Sequence, residues 1–296
     1  MAGIAPVSIG LLINFNEKFT QEGFAGCLTL TRALFLCSPG TKNIAMDAYV
    51  TSHTDQLGIN TIEFYHPGSN SLPGKLLSGL AQEIHHAGLN ADTKVIVLRS
   101  AGEKAFCAGA SFTELAAIAN EEEGRTFFSG FARVFNAMRT CGKLIICRIQ
   151  GKCVGGGVGL AAAADYAIAV DTAEVKLSEL AIGIGPFVVG PVIERKTGTA
   201  AFSHLAIDAG QWRNADWAKR KGLFAEVHGS VENMDESVAR LANTLAHASE
   251  EAMTEMKKIF WKGTEHWDQL LNERAAISGR LVLGKFAKEA IAKLKG

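Results

Sequence analysis

From about residue 59 onward, apolar and polar positions alternate with a regularity that the earlier stretch lacks. In INTIEFY (59–65), Ile62 and Phe64 fall on one side and Ile59, Thr61, Glu63 and Tyr65 on the other, the period of a strand. Residues 74–88 repeat at helical spacing, and KVIVLRS (94–100) is the continuous apolar run of a buried strand. FFSGFARVFNAM (127–138) places its apolar residues on one helical face. KLIICRI (143–149) predicts another buried strand, and YAIAV, from Tyr166, a further one. After about residue 190 the pattern is mostly helical, in LANTLAHA, EAMTEMKKIFW and WDQLLNERAAI. Strands alternating with helices predict an α/β fold with helices crossing between neighbouring strands. Residues 1–45 show no clear period and are expected to be an N-terminal extension or the product of an over-long start, because regular signals begin just after Met46.

Composition narrows the class. The 296 residues carry 30 Lys+Arg against 30 Asp+Glu, without the cationic excess that a nucleic-acid groove or polybasic membrane face needs. At 48% hydrophobic, the chain has enough apolar material for a substantial core. Its six cysteines form no CxxC pair and have no matching His spacing, which argues against zinc. No apolar stretch reaches spanning length, and the N-terminus lacks a secretory pattern. The expectation is a cytoplasmic protein with reduced thiols.

The chemistry centres on GKCVGGGVGLAAAADYAIAV (151–170). Such a glycine-rich turn ahead of a helix can cradle a phosphate, bind an oxyanion or permit close packing. Gly157-x-Gly159-x-x-Ala162 formally matches a dinucleotide fingerprint, but only about eight residues separate the glycines from the next strand, and Asp171 arrives too early. A P-loop also needs Gly-Lys-Ser/Thr, which is absent. An oxyanion site is better supported, because a second turn, CAGA in SAGEKAFCAGASFTEL (100–115), also follows a strand and leads into a helix. One backbone N–H from each turn would make a two-point hole. Glu179, beside Ser178 in the apolar run VKLSELAIGIGPFVVGP (175–191), is then a candidate acid–base with a pKa raised by desolvation. It could instead cap the following turn or pair with Arg195 or Lys196.

KAFCAGAS, VGGGVGLAAAADYAIA and VKLSELAIGIGP, in this order and at these separations, resemble the crotonase (enoyl-CoA hydratase/isomerase) superfamily. The resemblance runs from about Tyr49 to the C-terminus and includes NSLPGKLL (70–77). It implies a spiral of ββα repeats over residues 46–240 and a helical trimerisation region over 241–296, in a homotrimer or homohexamer. It further implies that the N–H groups of Ala110 and Gly156 hold the thioester oxygen of an acyl-CoA as it becomes an enolate. Ser71, Leu72 and Ala108 would line the CoA groove. Ser111, Gly155 and Ser178 would complete the substrate contacts, and Glu179 would be the family's second catalytic acid. No cofactor or metal is implied, since CoA arrives within the substrate.

The departures from the family pattern bear on the reaction. Hydratases of the family usually carry two glutamates, and Gly159 stands in the place of the first. Ser111 stands where Asp is common, and SGRLVLGKFAKEAI (278–291) lacks the usual glycine–acid pattern. The VGL/LSE pairing is similar to the methylglutaconyl-CoA hydratase type of leucine breakdown, so hydration of a branched 2-enoyl-CoA is the first expectation, with Glu114 as the nearest second acid. Δ3-Δ2 isomerisation or decarboxylation by Glu179 alone comes next, and a CoA-thioester binding subunit is the non-enzymatic alternative. Glu114 has its own ordinary role as a first-turn acid on a helix. Phe187 could shape the acyl pocket. His85 and His86 belong to a helix end, Glu121–Glu123 to a helix start facing water, and Phe260, Trp261 and Trp267 to the core or a subunit interface.

Overall fold

The computed structural model describes residues 47–294, all within a unit that begins at Ala45. The expectation for residues 1–45 therefore lies outside the described residues. The first strands are β1 (Tyr49–Thr54) and β2 (Ile59–Tyr65), paired antiparallel, followed by α1 (Gly74–Leu89). Three ββα units come next. The first is β3 (Val95–Ser100), β4 (Ala105–Cys107), α2 (Phe112–Leu115) and α3 (Glu121–Thr140). The second is β5 (Leu144–Ile149), β6 (Lys152–Val154) and α4 (Gly156–Ala163). The third is β7 (Tyr166–Val170), β8 (Glu174–Lys176) and α5 (Gly190–Ile207), the last broken at Gly198. Two short strands, β9 (Arg213–Asn214) and β10 (Glu226–His228), flank α6 (Ala215–Arg220). The chain then becomes helical: α7 (Val231–Ala246), α8 (Glu250–Phe260), α9 (Trp267–Leu281) and α10 (Lys285–Lys293).

The first strand of each unit enters a six-stranded sheet of order β1-β2-β3-β5-β7-β10, and the second enters a smaller one of order β4-β6-β8-β9. This is the crotonase-type α/β spiral that the sequence predicts. β5 is buried at all six positions, as befits a parallel strand covered on both faces. β2 keeps the expected alternation, with Ile62 and Phe64 fully buried. Its one polar residue on the buried face, Asn60, is accommodated by donating to Ser52 Oγ and Thr54 Oγ1. The helix expected at 127–138 is longer, because Asn120 caps it: Asn120 Oδ1 accepts from Glu123 N–H, and the solvent-facing acids Glu121–Glu123 suit the positive end of its dipole. His86 lies in the last turn of α1, as expected.

The small sheet is what the hydrophobic pattern does not reveal. Its strands run two to three residues, too short for a period to register. Yet β4, β6 and β8 are parallel, and their carboxyl ends release Ala108–Ala110, Gly155–Gly156 and Leu177–Glu179 side by side. No helix among the described residues is long and apolar enough to cross a membrane. Cys107, Cys141, Cys147 and Cys153 are buried free thiols, and burial pushes Cys107 up to about 12.

Candidate active site

The site forms where those three strand ends meet, the usual place for ligands in parallel α/β structures. Asn70 sets the first edge. It adopts a left-handed conformation (φ 56°), is buried, and donates Nδ2 to Ala101 O (2.7 Å) and Ala105 O (2.9 Å) while Oδ1 accepts from His66 N–H. That clamp holds residues 66–72 against the loop that enters β4. Leu72 N–H then donates to Gly109 O (2.8 Å), in a parallel bridge pairing Leu72 with Ala110. In such a bridge Leu72 bonds the residues on either side of Ala110, so the N–H of Ala110 faces the other way. Gly109 makes the turn at φ 88°, and a Cβ there would lie 3.0 Å from Val154 O and 3.7 Å from Gly156 N. The two glycine turns therefore abut.

Gly156 is the first residue of α4, so its N–H has no acceptor within the helix. Gly155 precedes it at φ 51° and ψ −111°, a conformation open to glycine alone, and donates its N–H to Lys176 O. A Cβ at Gly155 would meet Glu179 Oε1 at 3.0 Å. Backbone donors and carboxyl group are thus neighbours. The free N–H groups at this helix end favour negative charge beside them.

Glu179 lies between β8 and α5. Its Oε2 is buried without a hydrogen-bond partner among the described residues. Desolvation raises its pKa from 4.5 to about 7, which the backbone N–H groups of Glu179 and Ser178 offset only in part. Neither of the other roles weighed from sequence is observed. Glu179 makes no side-chain cap to the turn at Leu180–Ile182. Lys196 Nζ donates to Ala164 O and Asp165 O, and Arg195 to Phe260 O.

A cavity of about 360 Å³ opens in front of these groups. Ala108, Ala110, Gly155, Gly156, Ser178 and Glu179 all line it, as does Phe187. Ser71, Leu72 and Ser111 do not. Leu72 is fully buried, Ser71 Oγ bonds His66 Nδ1 (3.1 Å), and Ser111 caps α2 by accepting from Glu114 N–H. Glu114 also stays out of the cavity. Its Oε2 accepts from Gly74 N–H at 2.8 Å, which caps α1.

Position 159 is closed by packing. A Cβ on Gly159 would lie 2.4 Å from Phe135 Cζ, and one on Gly156 2.1 Å from Phe131 Cζ. Phe127, Phe128, Phe131 and Phe135 form an aromatic stripe along α3 against α4 and the cavity. The sequence displays the stripe as one helix face but does not say what that face meets. Asn70, the aromatic stripe and Ser278, which reaches the cavity from α9, are the site residues that local pattern does not single out.

Two sheets built from ββα turns, with paired backbone donors and a buried carboxyl at the strand ends, define a crotonase-type protein. Residues 54–291 match the model of the enoyl-CoA hydratase/isomerase family, and the chain belongs to that family. It is 29% identical over 206 residues to the (7aS)-7a-methyl-1,5-dioxo-2,3,5,6,7,7a-hexahydro-1H-indene-carboxyl-CoA hydrolase of Mycobacterium tuberculosis, covering 67% of this chain and 78% of that one. It is 30% identical over 199 residues to the carnitinyl-CoA dehydratase of Proteus mirabilis, covering 66% and 73%. The enoyl-CoA hydratase structure from Bacillus halodurans shares the fold, with a TM-score of 0.76 at 20% identity over 83% of this chain and 99% of that one.

Proposed function

We propose that this chain is an acyl-CoA enzyme in which one carboxylate moves a proton along a thioester enolate, so that its reaction is a 3-enoyl to 2-enoyl double-bond shift. The observation that carries this is Glu179 itself: a carboxyl group with a buried, unpartnered oxygen, held at about 7, beside Gly155 and Gly156. Glu179 as carboxylate takes the C2 proton of a 3-enoyl thioester. The C–H electron pair forms the enolate, whose oxygen is held by the N–H groups of Ala110 and Gly156. The electrons then return through the conjugated system as C4 takes the proton back from Glu179, which leaves the carboxylate as it began.

Hydration asks for more. Water must be held and split, and losing one of two acid–base groups costs about 10²- to 10⁴-fold. Phe135 fills the space at residue 159, and Glu114 is engaged at Gly74. The similarity to a carnitinyl-CoA dehydratase keeps hydration as the second reading, with a polar group of the substrate orienting the water.

Mass spectrometry with ultraviolet monitoring tests the assignment on 3-hexenoyl-CoA, 2-hexenoyl-CoA and 3-methylglutaconyl-CoA. An unchanged mass with rising enoyl absorbance from 3-hexenoyl-CoA is the expected result. Gain of one water would establish a hydratase, and loss of carbon dioxide a decarboxylase. No turnover of any thioester, with binding retained, would leave a CoA-thioester binding subunit. With one carboxylate as the base, kcat/KM should fall about tenfold per pH unit below an apparent pKa near 7 and level off above it.

A further inference from the structure

We propose that the cavity selects an uncharged, compact, apolar acyl group and rejects acyl groups that carry a carboxylate of their own. This rests on the acyl-CoA reading above and adds the substrate class. Among the described residues lining the cavity, Glu179 and Lys176 are the charged side chains. Lys176 lines the cavity, and its ammonium lies near a ring that does not. Nζ sits 5.4 Å from the ring centroid of Trp212, which lies outside the cavity and also has Lys152 Nζ over it at 4.5 Å. Lys176 and Trp212 are chain neighbours of Val175 and Arg213, which pair in the β8–β9 register. A second carboxylate on the substrate would thus enter a cavity that holds one acid and, among the described residues, no ammonium or guanidinium turned toward it, and would lose its water without a partner.

The walls point the same way. Phe112, Phe127, Phe128, Phe131 and Phe187 line the cavity, with Phe127 and Phe128 edge to face at 5.0 Å, and among the described residues Ser178 and Ser278 supply its side-chain hydroxyls. Flat, rigid aromatic surfaces suit rings and branched carbon skeletons. Volume sets the upper size. At about 360 Å³ the cavity lies at the small end of ligand pockets, which run from about 300 to 1,000 Å³. The thioester takes part of this space, which leaves room for an acyl tail well short of a long fatty chain. The methylglutaconyl group expected from sequence carries the carboxylate that this site is built to exclude.

The test separates affinity from turnover by using the Glu179→Gln protein and thioesters without a double bond. Calorimetry would compare cyclohexylacetyl-CoA, hexanoyl-CoA, glutaryl-CoA and dodecanoyl-CoA. The first two should bind at least a hundredfold more tightly than glutaryl-CoA, and dodecanoyl-CoA should gain nothing over hexanoyl-CoA. Glutaryl-CoA binding within tenfold of hexanoyl-CoA would overturn the proposal, as would affinity that keeps rising with chain length. KM values of the unaltered protein for 3-hexenoyl-CoA and glutaconyl-CoA give a second measure that does not depend on the variant. Apolar selectivity without any turnover would sink the isomerase reading and leave this one standing. Turnover of apolar and carboxylated thioesters with equal KM would do the reverse, and failure of every thioester to bind would remove both.

Discussion

Burial that holds the Glu179 carboxyl at about 7 acts on stability as well as on chemistry. The folded-state pKa lies above its ordinary 4.5, so between those values the native protein keeps a proton that the unfolded chain has released. Stability from this group is therefore present below about pH 4.5, falls as the pH rises to about 7, and stays lost above it. A shift of this size corresponds to about 3 kcal/mol. Glu179→Gln should leave stability near pH 4.5 almost unchanged and raise it by up to about 3 kcal/mol at pH 8, measured by urea unfolding at both values. The same substitution should lower turnover by about 10²- to 10⁴-fold. Equal stability of the two proteins at pH 8 would show that Glu179 titrates as an ordinary surface acid. The residue type and its apolar surroundings were legible in the run VKLSELAIGIGP. Whether the carboxyl was paired was not, since Arg195 and Lys196 lie close in sequence but spend their donors on carbonyl groups.

At the scale of elements, α3 and α4 meet through rings and glycines. Gly159→Ala places a methyl group 2.4 Å from the Cζ of fully buried Phe135, and overpacking of that kind costs about 1–3 kcal/mol. Thermal unfolding should show that loss in Gly159→Ala and its relief when Phe135→Leu is added. The glutamate at 114 acts between α1 and α2 rather than in the cavity. Glu114→Ala should cost about 1 kcal/mol, typical of a lost helix cap, and change kcat by less than threefold. A hundredfold loss of kcat without loss of stability would return Glu114 to the catalytic machinery. Long elements such as β2, β3, β5 and α1 could be read from period alone. The four strands of the small sheet could not, because a two- or three-residue strand exists only by virtue of its neighbours.

At the scale of the molecule, α8 is tied to the sheet by an ion pair whose residues do not line the cavity. Lys257 of α8 meets Asp165 at 3.0 Å and also donates to Lys143 O at 2.7 Å, with both side chains buried. Asp165 Oδ2 in turn accepts from Ile145 N–H at the start of β5. Removing one partner of such a pair strands the other, at a cost of about 3–5 kcal/mol. Lys257→Met should therefore lower the urea midpoint far more than Lys258→Met, whose exposed pair with Glu255 is worth little. Similar losses from both would show that the buried pair is not a tie.

The sequence by itself determined the α/β class, the two glycine turns, the lone glutamate and the family they resemble, because these rest on local periods, turn chemistry and ordered motifs. Tertiary structure alone decided what stands around Glu179. Which helix face met the cavity, whether Glu114 faced substrate or a backbone N–H, and where the Lys176 ammonium settled depended on contacts between segments 40 or more residues apart in some cases and on one small sheet in others. Burial and pairing are properties of those contacts. They set the carboxyl's pKa, close the space at residue 159 and place the Lys176 ammonium beside Trp212.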